Sequence, residues 1–278
     1  MEIMIEILMQ FLLPIIIEVG LVKWRWLTVY GAIAAGFLAF VVLFLAQWSI
    51  FPLVTFLVFG SLAGKIGANV NEGGDSKQGL ARDHWQVLAN GGIFMFLAML
   101  AYLSESGWLD SILGIQTEVL RFGETCHFLA LISLAVSCAD TLSSDFGRVW
   151  GGTPRNIITG KRMLKGVSGG VTGAGFVGAF LGAGVIAVFV FWSELSLLGN
   201  SASLFWTILV FGMIGSILDS VLGVLFQAKY LDEMGNQVDS SDSGRRLMLA
   251  GFRWVTNDVV NALTGMLMLL VAVMYLCW

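Results

Sequence analysis

The sequence predicts an all-α polytopic integral membrane protein, a bundle of about seven to eight transmembrane helices in one membrane domain spanning residues 1–278. Three observations predict it. Hydrophobic residues make up 57% of the chain and charged residues 12%, against about 25% charged in a soluble domain. The mean hydropathy is +0.85, which leaves little room for a separate soluble domain. The apolar residues also gather into runs near the ~20 residues that cross a bilayer core.

Eight such runs follow in order, at 4–22, 27–46, 50–66, 85–103, 125–143, 171–192, 203–226 and 256–277. The first is interrupted by Glu2, Glu6 and Glu18, so an interfacial placement is its alternative. The start, Met1-Glu2-Ile3-Met4-Ile5-Glu6, lacks the basic stretch and small-residue cleavage site of a signal peptide, so the first run is expected to be retained. The loops between runs sort by charge. Lys23, Arg25, Lys65, Lys77, Arg82, Arg148, Arg155, Lys161, Arg162, Lys165, Lys229, Arg245, Arg246 and Arg253 fall on one side. Only Arg121 falls on the other. By the positive-inside rule the basic loops are cytoplasmic, or stromal in a plastid-type membrane, and both termini lie outside. A bacterial inner membrane fits equally.

The net charge of −4 and the scattered basic residues give no footprint for nucleic acid. Cys126, Cys138 and Cys277 form no metal or disulfide spacing and read as free thiols. His84 and His127 are too few for a metal cluster.

Ionisable groups inside a membrane are costly and point to function. Here they share one level. Gln86 and Asn90 lie one turn apart near the cytoplasmic entry of the fourth run. Asp140 and Ser144 do the same near the exit of the fifth. Asp219 lies about two turns, or ~10 Å, from the cytoplasmic end of the seventh. Asn257, Asp258 and Asn261 open the eighth. Carboxylates and amide oxygens are hard ligands suited to Mg²⁺, which is usually held by one or two carboxylates together with substrate phosphates. The alternative for each residue alone is a helix cap or an interhelical hydrogen bond.

A loop expected over 144–170 carries Gly151-Gly152-Thr153-Pro154-Arg155, Thr159-Gly160-Lys161-Arg162 and Lys165-Gly166-Val167-Ser168-Gly169-Gly170. Glycine admits backbone N–H groups close to a phosphate, lysine and arginine neutralise it, and the next helix N-terminus adds its dipole. The spacing is not that of a Walker A loop. A basic loop that only sets topology is the other reading. Gly166, Gly170, Ala174, Gly178 and Gly182 recur every fourth residue, a stripe of small residues expected to pack helices closely. Ala139-Asp140-Thr141-Leu142-Ser143 resembles Leu218-Asp219-Ser220-Val221-Leu222, a short parallel repeat.

These segments together resemble the transmembrane protein 19 family, also called domain of unknown function 92, whose plant and cyanobacterial members include phytyl-phosphate kinase. The resemblance rests on Gln86-Val87-Leu88-Ala89-Asn90-Gly91, Ala139-Asp140-Thr141-Leu142-Ser143-Ser144-Asp145-Phe146-Gly147 and Thr153-Pro154-Arg155-Asn156-Ile157-Ile158-Thr159-Gly160. It continues with Gly166-Val167-Ser168-Gly169-Gly170-Val171-Thr172, Gly215-Ser216-Ile217-Leu218-Asp219-Ser220-Val221-Leu222-Gly223 and Asn257-Asp258-Val259-Val260-Asn261. It runs in order from about residue 55 to the end. Where the family usually has Glu, this chain has Asp145.

The resemblance implies a lipid phosphate kinase that converts an isoprenyl monophosphate such as phytyl phosphate to the diphosphate, feeding tocopherol, phylloquinone or chlorophyll precursors. On that reading Asp140 and Asp219 hold Mg²⁺, with Asp258 and Asn261 as further ligands. Arg155, Lys161, Arg162 and Lys165 hold the phosphates of CTP or ATP and of the lipid. Gly166, Ser168, Gly169 and Gly170 form the loop around them, and Asn90 and Asn257 orient oxygens. A transporter or flippase is the competing expectation, and a CDP-lipid synthase or polyprenol kinase shares the same nucleotide chemistry. Transporter sites, however, tend to sit near the bilayer midplane, at broken helices.

Overall fold

The computed structural model describes residues 17–46, 50–68, 81–108, 119–193, 195, 198–239, 241 and 246–277. A helical segment over 17–23 is followed by α1 (Val29–Ala46), α2 (Ile50–Ala68), α3 (His84–Glu105) and α4 (Val119–Trp150). After a folded loop come α5 (Gly173–Ala187, extended by a 3₁₀ turn Val188–Trp192), α6 (Ser201–Leu225) and α7 (Asn257–Leu276). Five of these are long and apolar enough to cross a bilayer, and α1 and α2 are shorter apolar helices. Most of the expected run 4–22 lies outside the described residues.

Local chemistry sets the ends. Asp83, Thr172, Asn200 and Thr256 are N-caps of α3, α5, α6 and α7, their side chains accepting N–H bonds from Gln86, Gly175, Ala202 and Val259. The fifth helix departs from expectation. The run 125–143 is the middle of a helix that continues to Trp150, so Ser144, Asp145 and Arg148 are helical rather than loop. Their polarity reads as loop, but Asp145 and Arg148 pair with one another in the protein while Ser144 stays exposed, and the helix stops only at Gly151-Gly152, where Gly152 takes φ +64°.

α4 is the central helix: 72% of its apolar stretch is buried, against 28% for α7. Phe128, Ile132, Leu134, Ala135, Cys138 and Ala139 are all fully enclosed. α5 lies directly on it. Side chains added at Gly178 and Gly182 would strike the carbonyls of Leu142 and Cys138. The small-residue face is real, but its register differs from the expected one. α5 begins at Gly173, so Gly166 and Gly170 precede it, and the packed face is Gly175, Gly178, Ala179, Gly182 and Ala183. Gly212 and Gly215 of α6 close on α4 in the same way, against Ala135 and Val136.

The polar connections fold into small sheets. β1 (Arg155–Asn156) pairs antiparallel with β2 (Gly170–Val171), closing the loop before α5 on itself. β3 (Lys229–Leu231), β4 (Gln237–Val238) and β5 (Leu247–Ala250) form a three-stranded antiparallel sheet in the order β4-β3-β5. Cys126 and Cys138 are buried and Cys277 is exposed, all three as free thiols.

Candidate active site

A polar cleft lies where α4, α5, α6 and α7 meet the glycine-rich loop. Asp140, Ser143, Ser144, Gly147 and Arg148 line it from one face of α4. Asp219 and Ser220 enter from α6 and Asn257 from the first turn of α7. Lys165 to Thr172 form the remaining wall. The N-termini of α5 and α7 therefore both open on the cleft, and their unpaired N–H groups and dipoles favour an anion there.

At the acidic end, Asp140 and Asp219 lie close enough for their charges to interact. Thr264 Oγ1 donates to Asp219 Oδ2 at 3.1 Å, fixing one carboxylate oxygen. Asn261 sits between Asp219 and Asn90. In one amide orientation its Nδ2 donates to Asn90 Oδ1 at 3.3 Å. In the other it donates to Asp219 Oδ2 at 3.0 Å and to the Asn257 carbonyl at 3.2 Å. The second is favoured because a carboxylate only accepts. Two facing carboxylates and nearby amide and hydroxyl oxygens are the hard donor set that suits Mg²⁺. Asp258 does not line this cleft, and among the described residues no three acidic, histidine or cysteine side chains cluster as ligands. The carboxylate pair, rather than a triad, is what the fold assembles.

At the basic end stand Lys165 and Arg148. Arg148 was expected only as a topology-setting charge. Extending the helical period by two turns from Asp140 puts it on the same face, which is the signal that reveals it. Asp145 does not reach the cleft. It bonds Arg148 Nη2 at 3.3 Å, with both side chains largely buried, and so aims the guanidinium. Arg155, Lys161 and Arg162 lie outside the cleft wall and are exposed on the β1 side of the loop. Arg155 Nη1 donates to the Gly160 carbonyl at 3.0 Å, which makes it part of the turn.

The two glycines in the cleft wall also serve packing. Gly169, at φ +85°, packs against Val224 and the Ser220 carbonyl so closely that any side chain would collide. The Gly170 N–H is used by the Val167 carbonyl at 3.3 Å. Gly169 lets the loop lie flat on α6, and Gly170 packs against Pro154. Ser168 is gripped from the far side. Its N–H donates to Asp239 Oδ2 at 2.7 Å, and its carbonyl accepts from Lys229 Nζ at 3.2 Å. Gln227 Nε2 also donates to Asp239 Oδ2, at 3.0 Å. Lys229 and Asp239 are each 5% exposed and face one another at 3.8 Å. Burial lowers the Lys229 pKa and Asp239 raises it. Sequence reasoning missed this grip because its partners are about 60 to 70 residues away from Ser168.

Residues 12–269 match the family described as integral membrane protein DUF92. The chain belongs to this family. It is 31% identical to Protein PGR of Arabidopsis thaliana over 86% of this chain and 85% of the relative. It is 26% identical to an uncharacterised membrane protein of Methanocaldococcus jannaschii, over 82% of this chain and 87% of the relative. No solved structure matches the chain at a significant level. The match places this DUF92 protein among integral membrane proteins, as composition and helix lengths require.

Proposed function

We propose that this protein is a membrane-embedded isoprenyl monophosphate kinase, transferring the terminal phosphoryl group of CTP or ATP to a lipid monophosphate such as phytyl phosphate. One observation carries the reading: a single cleft pairs the Asp140 and Asp219 carboxylates with Arg148, Lys165 and the N-termini of α5 and α7. Phosphoryl transfer asks a protein for positioning and charge neutralisation more than for covalent chemistry. The cleft opens on the side of the basic loops, which we assign to the cytoplasm or stroma.

Asp140 and Asp219 would hold Mg²⁺, and such an ion would supply charge neutralisation for the phosphates. Asn261 and Thr264 hold Asp219 in place. Asn257, in the first turn of α7, orients a phosphate oxygen. Arg148 and Lys165 bind the nucleotide phosphates, and Ser168 to Thr172 shape the pocket around them. An oxygen of the lipid monophosphate attacks the γ-phosphorus, the bond to the bridging β-oxygen breaks, and the nucleoside diphosphate leaves. The acceptor is already an anion, so no strong general base is required.

The decisive assay uses the purified protein in nanodiscs with Mg²⁺, CTP or ATP, and phytol, phytyl phosphate or phosphatidic acid in turn. A diphosphate formed from the monophosphate alone is the expected result. Product from phytol points to a polyprenol kinase, and CDP-lipid from phosphatidic acid points to a synthase. Nucleotide-independent uptake by proteoliposomes, without any phosphorylated product, rules the kinase out in favour of a transporter.

A further inference from the structure

A second cavity, of about 380 Å³, lies between the helical segment 17–23 and helices α1, α2 and α3. Its walls are mostly apolar, with Leu38, Leu43, Leu53 and Leu57 among them, and Glu18 of the 17–23 segment adds a carboxyl beside Gly36 of α1. It runs along α1 from Ala35 to Leu43, about 12 Å at 1.5 Å per residue. Its volume falls within the ~300–1,000 Å³ common for small-molecule sites.

One wall is different. Gln86 and Asn90 stand one turn apart on α3, and Arg82, just before the Asp83 N-cap, extends them into a polar ladder. The Arg82 backbone is pinned: its N–H donates to Trp26 O at 3.0 Å and its carbonyl accepts from Thr28 N–H at 2.9 Å. Its guanidinium lies over the Phe56 ring at 5.2 Å, and a side chain at Gly60 would collide with it. Asp145 attracts it, yet among the described residues no carboxylate comes within ion-pair distance. A half-buried guanidinium beyond contact with its nearest carboxylate gains from an anionic ligand. The ladder ends at Asn90, whose amide meets Asn261, and Asn261 in turn meets Asp219. The cavity thus reaches the acidic end of the catalytic cleft within two hydrogen-bond lengths.

We propose that this cavity holds the lipid substrate, with the isoprenoid chain among the leucines and the monophosphate against Arg82 and Asn90. The proposal rests on the kinase reading and deepens it by placing the acceptor. A second apolar groove, between α2, α4, α5 and α6, is a poorer candidate. Only apolar residues and small Ala63 and Gly184 line it. Its α4 residues Leu142 and Phe146 point away from the face that carries Asp140.

Two variants and a photolabel test this. Arg82→Gln should raise KM for a twenty-carbon isoprenyl monophosphate at least tenfold, with KM for the nucleotide unchanged and Arg82→Lys partly restoring it. Ala39→Phe, which fills the cavity, should lower the preference for twenty-carbon over ten-carbon acceptor at least tenfold. Ile33→Phe, on the exposed face of α1, should not change that preference. Unchanged lipid KM and chain-length preference in both cavity variants overturn the proposal. A diazirine-bearing twenty-carbon isoprenyl monophosphate, mapped by mass spectrometry in the wild-type protein, reads occupancy without turnover. Labels on α1 and on the first half of α2, competed by unlabelled isoprenyl monophosphate, support the site. Labels near Phe59 and Phe180, or competition by phosphatidic acid alone, overturn it. An enzyme that makes no diphosphate refutes the kinase reading, while the photolabel still decides the cavity.

Discussion

At the scale of single residues, function concentrates in charges that the helices bring together from distant positions. Asp140 and Asp219 are the pair on which the proposed chemistry depends. Asp140→Asn or Asp219→Asn should each lower turnover by about 10²-fold or more, the scale of losing a principal electrostatic contact. Both should elute as folded protein, and turnover near wild type in either variant removes the metal assignment. Arg148 is the residue that the span boundaries concealed. Arg148→Gln should raise KM for nucleotide and lower kcat. Asp145→Asn should reproduce part of that defect, because it releases the guanidinium that Asp145 aims. A steady-state comparison of the two checks the coupling, since a double mutant should cost less than the two losses combined. Much of this was legible: Asp140, Asp219, Asn257 and Lys165 meet where their sequence levels indicated. Arg155, Lys161 and Arg162 do not join them, because β1 and its turn carry them outward, and charge alone says nothing about direction.

At the scale of elements, close packing and a small sheet fix the cleft. α5 rests on α4 through Gly178 and Gly182, with backbone carbonyls where side chains would otherwise stand. Gly182→Leu should destabilise the protein by ~1–3 kcal/mol or more, as overpacking does, and its melting temperature in detergent should fall. The Lys229–Asp239 pair grips both backbone groups of Ser168 from β3 and from the residue after β4. Asp239→Ala leaves a buried ammonium without its partner and should cost ~3–5 kcal/mol. Hydrogen exchange should rise first in residues 165–171, and uniform loosening of all helices instead would show that the pair does not act on the loop. The helix pattern was readable in the sequence, apart from the end of α4. The grip was not, because a side chain reaching a backbone amide across tens of residues leaves no periodic trace.

At the scale of the whole molecule, the fold places all of the proposed chemistry at one end of a helical bundle. Cys277, after the last helix, is exposed, whereas Cys126 and Cys138 are buried. With the basic loops inside, a membrane-impermeant maleimide applied to intact cells should label the protein at Cys277 alone. Labelling that appears only after permeabilisation reverses the orientation. Removal of Mg²⁺ by a chelator should stop phosphoryl transfer without lowering the melting temperature of the nucleotide-free protein, because the helices are held by packing and not by the ion.

The sequence by itself determined the membrane class, the order of the helices and the level at which their polar groups lie. Composition and run length act through the bilayer, which imposes one solution on any apolar chain: helices with their backbone hydrogen bonds satisfied internally. The tertiary structure alone decided which polar groups share a cleft, that Arg148 belongs to it, and that Gly169 packs the loop against α6. Those outcomes depend on the rotation of each helix about its axis and on contacts between distant segments, and a linear pattern carries neither.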